Sequence, residues 1–492
     1  MNKKTVLFAL IVTLFLFVIL NYKDNKNYKF VQQVNSERLL EAREAKNTIY
    51  ESIELPSCNM FQEEMYSLFI TKDNMNIARN YYNYDNNVVL KKDAIEDINL
   101  LFNALKFGYG GYEIFGGDEV FTKVKNNILK EINTHDNLLV KDLETILISN
   151  LSFIKDNHFR INENPVFKEK YTYYYNNDYP IIKDGKEYYI NLENKKYKIE
   201  SINKDKDIGN YIHYTLNKNG LLSYELGILS LENKQLEVLI SNNDNKKTIS
   251  INLEQSNNTV KNASIKDSSI GYIKLNSMKK ISDDILNKTK SIKNNRVNIL
   301  DLRGCSGGSD LEARKWFETY FNYKIGINGT IFFKHTEFIK EMYLNEIKTT
   351  YDLGLCSEEE YSKEVKRISN FYSKEKMNSI VPYTEVDKTL DNDNYLLVLV
   401  DNTVPSSAES LLIYLRTVKN VIFIGTNSSG TTKIMDKLGF LLPNTKIVCA
   451  FGTKAYNYRS FEIEEGKGLE PDIWLGTEDI LDRAYKFAKT LK

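Results

Sequence analysis

The 492-residue chain is predicted to be an α/β protein with a helical N-terminal domain and a small β-rich insert. Three successive patterns predict this fold class. Apolar residues recur at helical spacing up to residue 159, short alternating runs follow to residue 253, and strand-like and helix-like segments alternate from residue 269 onward. The last pattern is typical of a largely parallel sheet covered by helices.

The domain boundaries follow from these changes of pattern. We predict a helical domain at 30–160, a β module at 161–255 and an α/β core at 266–492. Within the β module, residues 208–216 have helix-like spacing. A charged, helix-prone stretch at 330–380 is expected to be an insertion or lid in the core, or simply a solvated pair of helices.

The N-terminus begins with a short basic segment and an apolar run from Thr5 to Leu20. This pattern predicts a signal peptide or membrane anchor at 1–22. An uncleaved anchor is favoured because the small-residue cleavage pattern is missing. The rest of the chain is therefore expected to be extracytoplasmic, either membrane-anchored or secreted.

Composition narrows the function classes. The 66 Lys and Arg residues equal the 66 Asp and Glu residues, so no net charge attracts nucleic acid and no nucleic-acid partner is expected. The four cysteines, Cys58, Cys305, Cys356 and Cys449, lack zinc-ligand spacing, and no metal or other cofactor is predicted. A disulfide, such as one between Cys356 and Cys449, stays open.

The first motif that could carry chemistry is DLRGCSGGSD, residues 301–310. It reads as a buried strand that ends in a glycine-rich turn. Gly307 and Gly308 can present backbone N–H groups to a substrate carbonyl, as an oxyanion hole requires. The alternative is an ordinary turn or an anion site.

The second motif, VDNTVPSSAESLLIYL, places Ser406 where a strand gives way to a helix. This corner exposes the hydroxyl of Ser406, and the N–H of Ser407 lies at the positive end of the helix, where it could stabilise an oxyanion. Ser406 and Glu409 also match a capping box, which would need no catalytic role.

The third motif, KDNHFRI, places His158 between a helix and a β segment. Histidine is the natural base for a serine nucleophile because its unperturbed pKa lies near neutrality. The other histidines, His135, His213 and His335, occur in ordinary polar or β contexts. A single histidine is often structural, so the motif alone leaves the role of His158 open.

In chain order, these motifs resemble the C-terminal processing, or tail-specific, serine protease family. GYGGYEIFGGDEVF followed by KDNHFRI is similar to the family's helical region with its Asp-Gly-His-like motif. DLRGCSGG is similar to its DLRGNGGG turn, VDNTVPSSAE to its nucleophile segment, and EGKGLEPDI (465–473) to its terminal G-x-G-[IV]-x-P-D motif. The resemblance implies a ClpP/crotonase-like core, a PDZ-like insert at 161–255 and a serine-type peptidase that cleaves proteins or peptides.

The resemblance also implies which side chain is the base. The catalytic lysine of the family's lysine-dependent branch aligns with Thr431 of this chain. Lys433 lies two residues beyond that position, or about 6 to 7 Å along a strand. The histidine-dependent branch includes tricorn protease and the chlamydial protease-like activity factor. Its residues map onto Ser406, His158 and Glu465, and the adjacent Glu464 is a second candidate for the carboxylate.

The predicted reaction is peptide hydrolysis through an acyl-enzyme. His158 would take the proton of Ser406 Oγ, Glu465 would orient the imidazole, and the N–H groups of Ser407 and Gly307 or Gly308 would bind the oxyanion. With an ordinary histidine pKa, activity should rise near pH 6 to 7. A Ser-Lys protease that uses Lys433 and a non-catalytic, membrane-tethered peptide-binding protein are the alternatives. The PDZ-like module could capture peptide, and a homodimer stays open.

Overall fold

The computed structural model describes residues 26–47, 87–162, 164–243, 245–257, 269–325, 329–334, 336–372, 378–382, 390–458 and 463–492. The predicted anchor at 1–22 lies outside them, as do Cys58 and His335. Within the described ranges, no helix combines the length and apolar character needed to cross a membrane.

The N-terminal region is mainly helical, as predicted. Its elements are α1 (Lys26–Asn47), β1 (Val88–Leu90), α2 (Lys91–Gly108), α3 (Gly117–Ile132), β2 (Asn137–Leu139) and α4 (Val140–Leu151). The periodic residues Ile98, Leu101 and Leu105 of α2 are fully buried and pack in one cluster with Leu143 and Leu147 of α4. This helical cluster supports the segment that carries His158.

The insert is an antiparallel sheet. Its strands are β5 (Thr172–Asp184), β6 (Glu187–Leu192), β7 (Lys195–Ile202), β8 (Ile212–Leu216), β9 (Leu222–Ser230), β10 (Leu236–Asn242), β11 (Asn245–Ile251) and β12 (Glu254–Gln255). The helix predicted at 208–216 is wrong for its second half. Ile208–Tyr211 is one 3₁₀ turn, whereas Ile212–Leu216 forms β8, which pairs antiparallel with β9. No α-helix occurs in the described part of 161–255, and the PDZ-like assignment stays a prediction.

The core is built on a parallel sheet of five strands. Its spatial order is β13 (Ile270–Lys274), β14 (Val297–Asp301), β17 (Tyr395–Val400), β18 (Val421–Gly425) and β21 (Ile473–Trp474). The middle strands are buried throughout because helices cover both faces. The covering helices are α5 (Asp283–Ile292), α6 (Asp310–Phe321), α9 (Ser407–Arg416) and α10 (Ile480–Thr490), together with α1.

A second sheet joins the N-terminal region to the core. It contains β16 (Asn378–Pro382), β15 (Gly329–Lys334), β20 (Val448–Tyr458), β3 (Arg160–Ile161) and β4 (Asn164–Pro165) in this order, with β19 (Ile434–Leu441) also on β20. Between β15 and β16 the chain forms two helices, α7 (Glu337–Asp352) and α8 (Glu358–Tyr372), within the predicted insertion. Because β3 pairs with β20, His158, which lies two residues before β3, is brought to the core.

The predicted α/β core with a helical N-terminal part is confirmed by these sheets and helices. The possible disulfide between Cys356 and Cys449 is not formed, because both thiols are free. Cys449 is fully buried in β20, whereas Cys356 lies in the connection between α7 and α8. Cys305 is also a free, buried thiol.

Candidate active site

Ser406 lies at the sharp turn between β17 and α9. Its backbone angles are φ 57° and ψ −126°, a conformation that side-chain-bearing residues rarely adopt. The turn leaves the side chain half-buried rather than packed in the core. Ser407 begins α9, so its N–H is one of the helix's first donors and has no partner within the helix.

The glycine-rich turn lies beside Ser406 because β14 and β17 are parallel neighbours that end at the same edge. Arg303 clamps its start with two hydrogen bonds to Asp301, Nε to Oδ1 at 2.9 Å and Nη2 to Oδ2 at 2.8 Å. Both side chains are buried. The paired charges therefore hold the turn rather than face substrate.

The two glycines of this turn differ in what they can do. Gly308 has φ 150°, and a Cβ there would lie 2.3 Å from the Lys279 nitrogen and the Met278 carbonyl carbon. Gly307 has φ 71° and lies against Pro405 and Ser406. Burial raises the pKa of the Cys305 thiol, and a hydrogen bond from the Gly307 N–H opposes this rise. Gly308 is thus the glycine that lines the cleft described below.

His158 approaches the serine hydroxyl from the second sheet. Its Nε2 lies 3.2 Å from Ser406 Oγ. The backbone N–H of His158 donates to Asp156 Oδ1 at 2.8 Å, and Tyr109 Oη donates to Asp156 Oδ2 at 3.0 Å. The connection between α2 and α3 therefore supplies a buried tyrosine, Tyr109, that fixes the turn before the imidazole.

The surroundings of His158 favour its neutral form. Burial, followed by the charges of Lys437 and Arg160, lowers the pKa of His158 to about 4, against the opposing effects of the Ile434 carbonyl and Asp436. Nδ1 is buried, and no side chain in the described part of the chain is hydrogen-bonded to it. The imidazole is therefore an unprotonated acceptor at neutral pH.

Glu465 does not contact the imidazole as the sequence predicted. It is buried next to the same turn, where Oε1 accepts a hydrogen bond from the Asn157 N–H at 3.0 Å. Burial and the nearby Asp156 carboxylate raise the pKa of Glu465 well above its usual range. Glu464, the second candidate, is exposed and faces a different cavity.

The position of Lys433 separates it from the nucleophile. Lys433 is not among the residues that line the cleft containing Ser406, whereas Thr431 is. The Lys433 backbone N–H donates to Glu465 Oε2 at 3.3 Å. The hydroxyl of Thr431 donates to Ser429 Oγ at 3.2 Å. The other described histidines are also remote from Ser406: His135 is exposed, and His213 contacts the Gly227 carbonyl in the insert.

Sequence reasoning missed three polar residues of the site: Tyr109, Asp156 and Asn157. All three residues lie within the motifs quoted above, but their contacts join segments far apart in the chain. Glu409 was assigned only a capping role, yet its carboxylate has four hydrogen-bond donors. Burial raises the pKa of Glu409 to about 7, and these donors oppose the rise.

A cleft of about 1310 Å³ opens over these groups. His158, Ser406, Ser407, Gly308 and Thr431 are among its lining residues. This size falls above the usual range for small-ligand pockets and suits a stretch of polypeptide. The geometry thus brings a serine hydroxyl, a neutral imidazole and helix-terminal N–H donors together in one accessible space.

Solved structures similar to this chain include several peptidases. Mature CPAF has a TM-score of 0.41 and 11% identity, over 82% of this chain and 96% of that one. A putative peptidase from Parabacteroides merdae has a TM-score of 0.39 and 13% identity, over 81% and 97% of the two chains. Tricorn protease has a TM-score of 0.35 and 11% identity, over 82% of this chain and 37% of its own. These weak similarities carry no argument about activity.

The search among curated proteins gave no match. Residues 269–475, however, match the model of peptidase family S41. This range begins just before β13 and ends after β21, so it spans the parallel sheet, the glycine-rich turn and Ser406. The resemblance drawn from the motifs is confirmed over this range: residues 269–475 form a peptidase family S41 domain, which makes the protein a serine-type peptidase.

Proposed function

We propose that this peptidase cleaves proteins or peptides through an acyl-enzyme on Ser406, with His158 as general base. The observation that carries the proposal is the 3.2 Å contact between His158 Nε2 and Ser406 Oγ at the wall of a polypeptide-sized cleft. His158 is held neutral by burial, so its Nε2 is available to accept the hydroxyl proton.

In the proposed reaction, Ser406 Oγ attacks the scissile carbonyl carbon while its proton moves to His158 Nε2. The tetrahedral oxyanion would be bound by the N–H groups of Ser407 and Gly308, because both residues line the cleft. The protonated His158 then gives its proton to the leaving amine. Water, activated by the same imidazole, hydrolyses the acyl-enzyme.

We assign Glu465 a different part in this mechanism from that of a carboxylate on Nδ1. Its hydrogen bond to the Asn157 N–H holds the peptide unit immediately before His158. Glu465 would therefore orient the imidazole through the backbone. Loss of this carboxylate should slow the reaction less than loss of His158, which transfers the proton itself.

The test is covalent labelling of the full-length chain, purified in detergent, with a fluorophosphonate probe. Ser406 Oγ would form a bond to phosphorus as fluoride leaves, which adds the probe's mass to the intact protein. We expect Ser406→Ala to abolish labelling and His158→Ala to slow it by about 10² to 10⁴ fold. Unchanged labelling of His158→Ala would contradict the proposed base.

Two matched variants sharpen this experiment. His135→Ala removes an exposed histidine outside the cleft and should leave the labelling rate unchanged. Lys433→Ala tests the Ser-Lys alternative and is expected to label like the wild type. No labelling of a folded wild-type chain would instead favour the non-catalytic binding protein.

The location and assembly of the protein remain proposals. We propose that residues 1–22 attach the peptidase to a membrane with the active site outside the cytoplasm, on the strength of their apolar sequence. Membrane fractionation of the full chain against a chain lacking 1–22 tests this. Homodimer formation and peptide capture by the insert are further predictions from the family resemblance.

A further inference from the structure

Glu409 is a fully buried carboxylate that the proposed reaction does not use. Oε2 accepts hydrogen bonds from the N–H of Ser406 at 3.0 Å and of Thr431 at 2.8 Å. Oε1 accepts from Ser428 Oγ at 2.5 Å and from the Gly430 N–H at 2.7 Å. A helix cap accounts only for the first of these contacts. The other three bind a loop that lies about twenty residues further along the chain.

This loop, residues 428–433, connects β18 to β19. Its next two N–H groups, of Thr432 and Lys433, donate to Glu465 Oε2 at 3.4 and 3.3 Å. Four consecutive peptide N–H groups, from 430 to 433, are therefore held by two buried carboxylates. A loop fixed at four successive peptide units has little freedom to move between the nucleophile and the base.

The carbonyl of Gly430 carries the connection to His158. It accepts hydrogen bonds from Asn157 Nδ2 at 2.7 Å and from the Gly466 N–H at 2.9 Å. Asn157 immediately precedes His158. A continuous path of hydrogen bonds thus runs from the N–H of Ser406, through Glu409 and Gly430, to the residue before the base.

We propose that Glu409 is a positioning residue of the active site, which sets the distance between Ser406 Oγ and His158 Nε2 through Gly430 and Asn157. This inference rests on the proposed function. Ser406 follows β17 of the parallel sheet, whereas His158 precedes β3 of the second sheet, so their separation depends on how the two sheets are connected. A displacement of about 1 Å between reacting groups can cost about 10² fold in rate, so a fixed connection has a large effect on catalysis.

The test uses Glu409→Gln in the full-length chain, with the fluorophosphonate as probe. The glutamine has the same shape, but its amide NH₂ must face N–H or O–H donors on one side. We expect the maximal inactivation rate to fall by about 10² fold, because the turn of Ser406 or the loop must shift. The probe concentration for half-maximal inactivation should change little, because Glu409 does not line the cleft.

Glu225→Gln is the matched control. Glu225 is another buried glutamate, located in β9 of the insert and outside the cleft. The same chemical change there should leave the inactivation rate at its wild-type value. Equal slowing in both variants would show a general effect of replacing a buried glutamate by glutamine and would overturn the inference.

Asn157→Ala tests the path independently. This variant removes only the Nδ2 contact to the Gly430 carbonyl, and we expect it to lower the maximal rate by about tenfold. The double variant with Glu409→Gln should lose less than the product of the two single effects, because both act on the same peptide unit. Fully independent effects would overturn the proposed path.

The remaining outcomes also decide the matter. A folded Glu409→Gln chain that inactivates at the wild-type rate overturns the inference and leaves Ser406 and His158 intact as nucleophile and base. If Glu409→Gln does not fold, Asn157→Ala alone decides, since an unchanged rate there removes the connection. An unlabelled wild type would overturn the proposed function and this inference together.

Discussion

At the scale of single residues, the proposed nucleophile Ser406 has an unfavourable backbone conformation that hydrogen bonding holds in place. Ser406 has φ 57° and ψ −126°, and such a conformation costs about 1 to 3 kcal/mol for a residue with a side chain. The hydrogen bond from its N–H to Glu409 helps to hold it. The turn exposes the hydroxyl to His158 at the expense of local stability.

This strain predicts an unusual order of stability among variants. The free energy of unfolding, measured with urea, should be about 1 kcal/mol higher for Ser406→Gly than for Ser406→Ala, because glycine adopts a positive φ without steric cost. Ser407, in the first turn of α9, is the matched control, and there alanine should be the more stable by about 1 kcal/mol. The same order at both positions would contradict the strain at Ser406.

The environment of His158 predicts an acidic limb in the pH profile. The base must be neutral, and its pKa is lowered to about 4, so kcat/KM should rise as pH increases through about 4 and be level above about 5. This is lower than the value of 6 to 7 expected from an ordinary histidine. Circular dichroism at each pH confirms that the chain stays folded.

Lys437→Met provides the control for this pH profile. Removing this positive charge should raise the pKa of His158, because the charge of Lys437 is one of the groups that lower it. The acidic limb would then move to higher pH. A wild-type limb near pH 6.5, or a limb that stays in place in the variant, would contradict the assigned environment.

At the scale of elements, the active site depends on turns held by buried ion pairs. Asp301, at the end of β14, is fully buried and accepts two hydrogen bonds from the Arg303 guanidinium. Tyr272 Oη also donates to it at 3.1 Å. The glycine-rich turn that follows is therefore anchored before it reaches Ser406.

Arg303→Met is expected to destabilise the fold by about 3 kcal/mol, because it leaves the Asp301 charge buried with only partial compensation. Urea unfolding measures this change. Lys348→Ala, which breaks an exposed pair with Asp352, is the control and should leave the urea midpoint close to that of the wild type, because exposed ion pairs contribute little to stability. A loss below about 1 kcal/mol in Arg303→Met would show that the pair is not needed to hold the turn.

At the scale of the whole molecule, the insert is joined to the core by aromatic packing. Tyr173 of β5 packs against Trp474 of β21 in a tilted arrangement, with ring centroids 4.3 Å apart. Tyr173 Oη donates to Glu225 Oε1 at 2.8 Å. Burial raises the pKa of Glu225 to about 8. The junction between insert and core therefore contains a carboxyl group that is protonated at neutral pH.

This group predicts how stability changes with pH. The folded chain binds one more proton than the unfolded chain between about pH 4 and 8, so its stabilising effect is full below about pH 4 and is lost as pH rises through 8. Glu225→Gln should melt at a higher temperature than the wild type at pH 8.5 and depend less on pH from 5 to 8.5. Parallel melting curves for the two chains across this range would contradict the raised pKa.

Local sequence patterns were enough to predict the fold class, the order of the elements and the placement of Ser406 and His158 beside turns. These features depend on short-range patterns: a buried strand followed by Gly307 and Gly308, and a helix that begins directly after Ser406. Hydrophobic periodicity and turn chemistry act over a few residues, so one sequence contains enough information to predict them. The prediction of a helix at residues 212–216 is wrong, because pairing with β9 outweighed the local spacing of apolar residues.

The pairing of the polar groups in the site depends on tertiary contacts, which local patterns do not reveal. Glu465 binds the N–H of Asn157, 308 positions away, instead of the imidazole, and the Asn157 side chain reaches Gly430, 273 positions away. The low pKa of His158 likewise comes from burial and from charges on other elements. Desolvation and hydrogen bonding depend on which distant segments surround a group, and that is fixed only when the two sheets pack together.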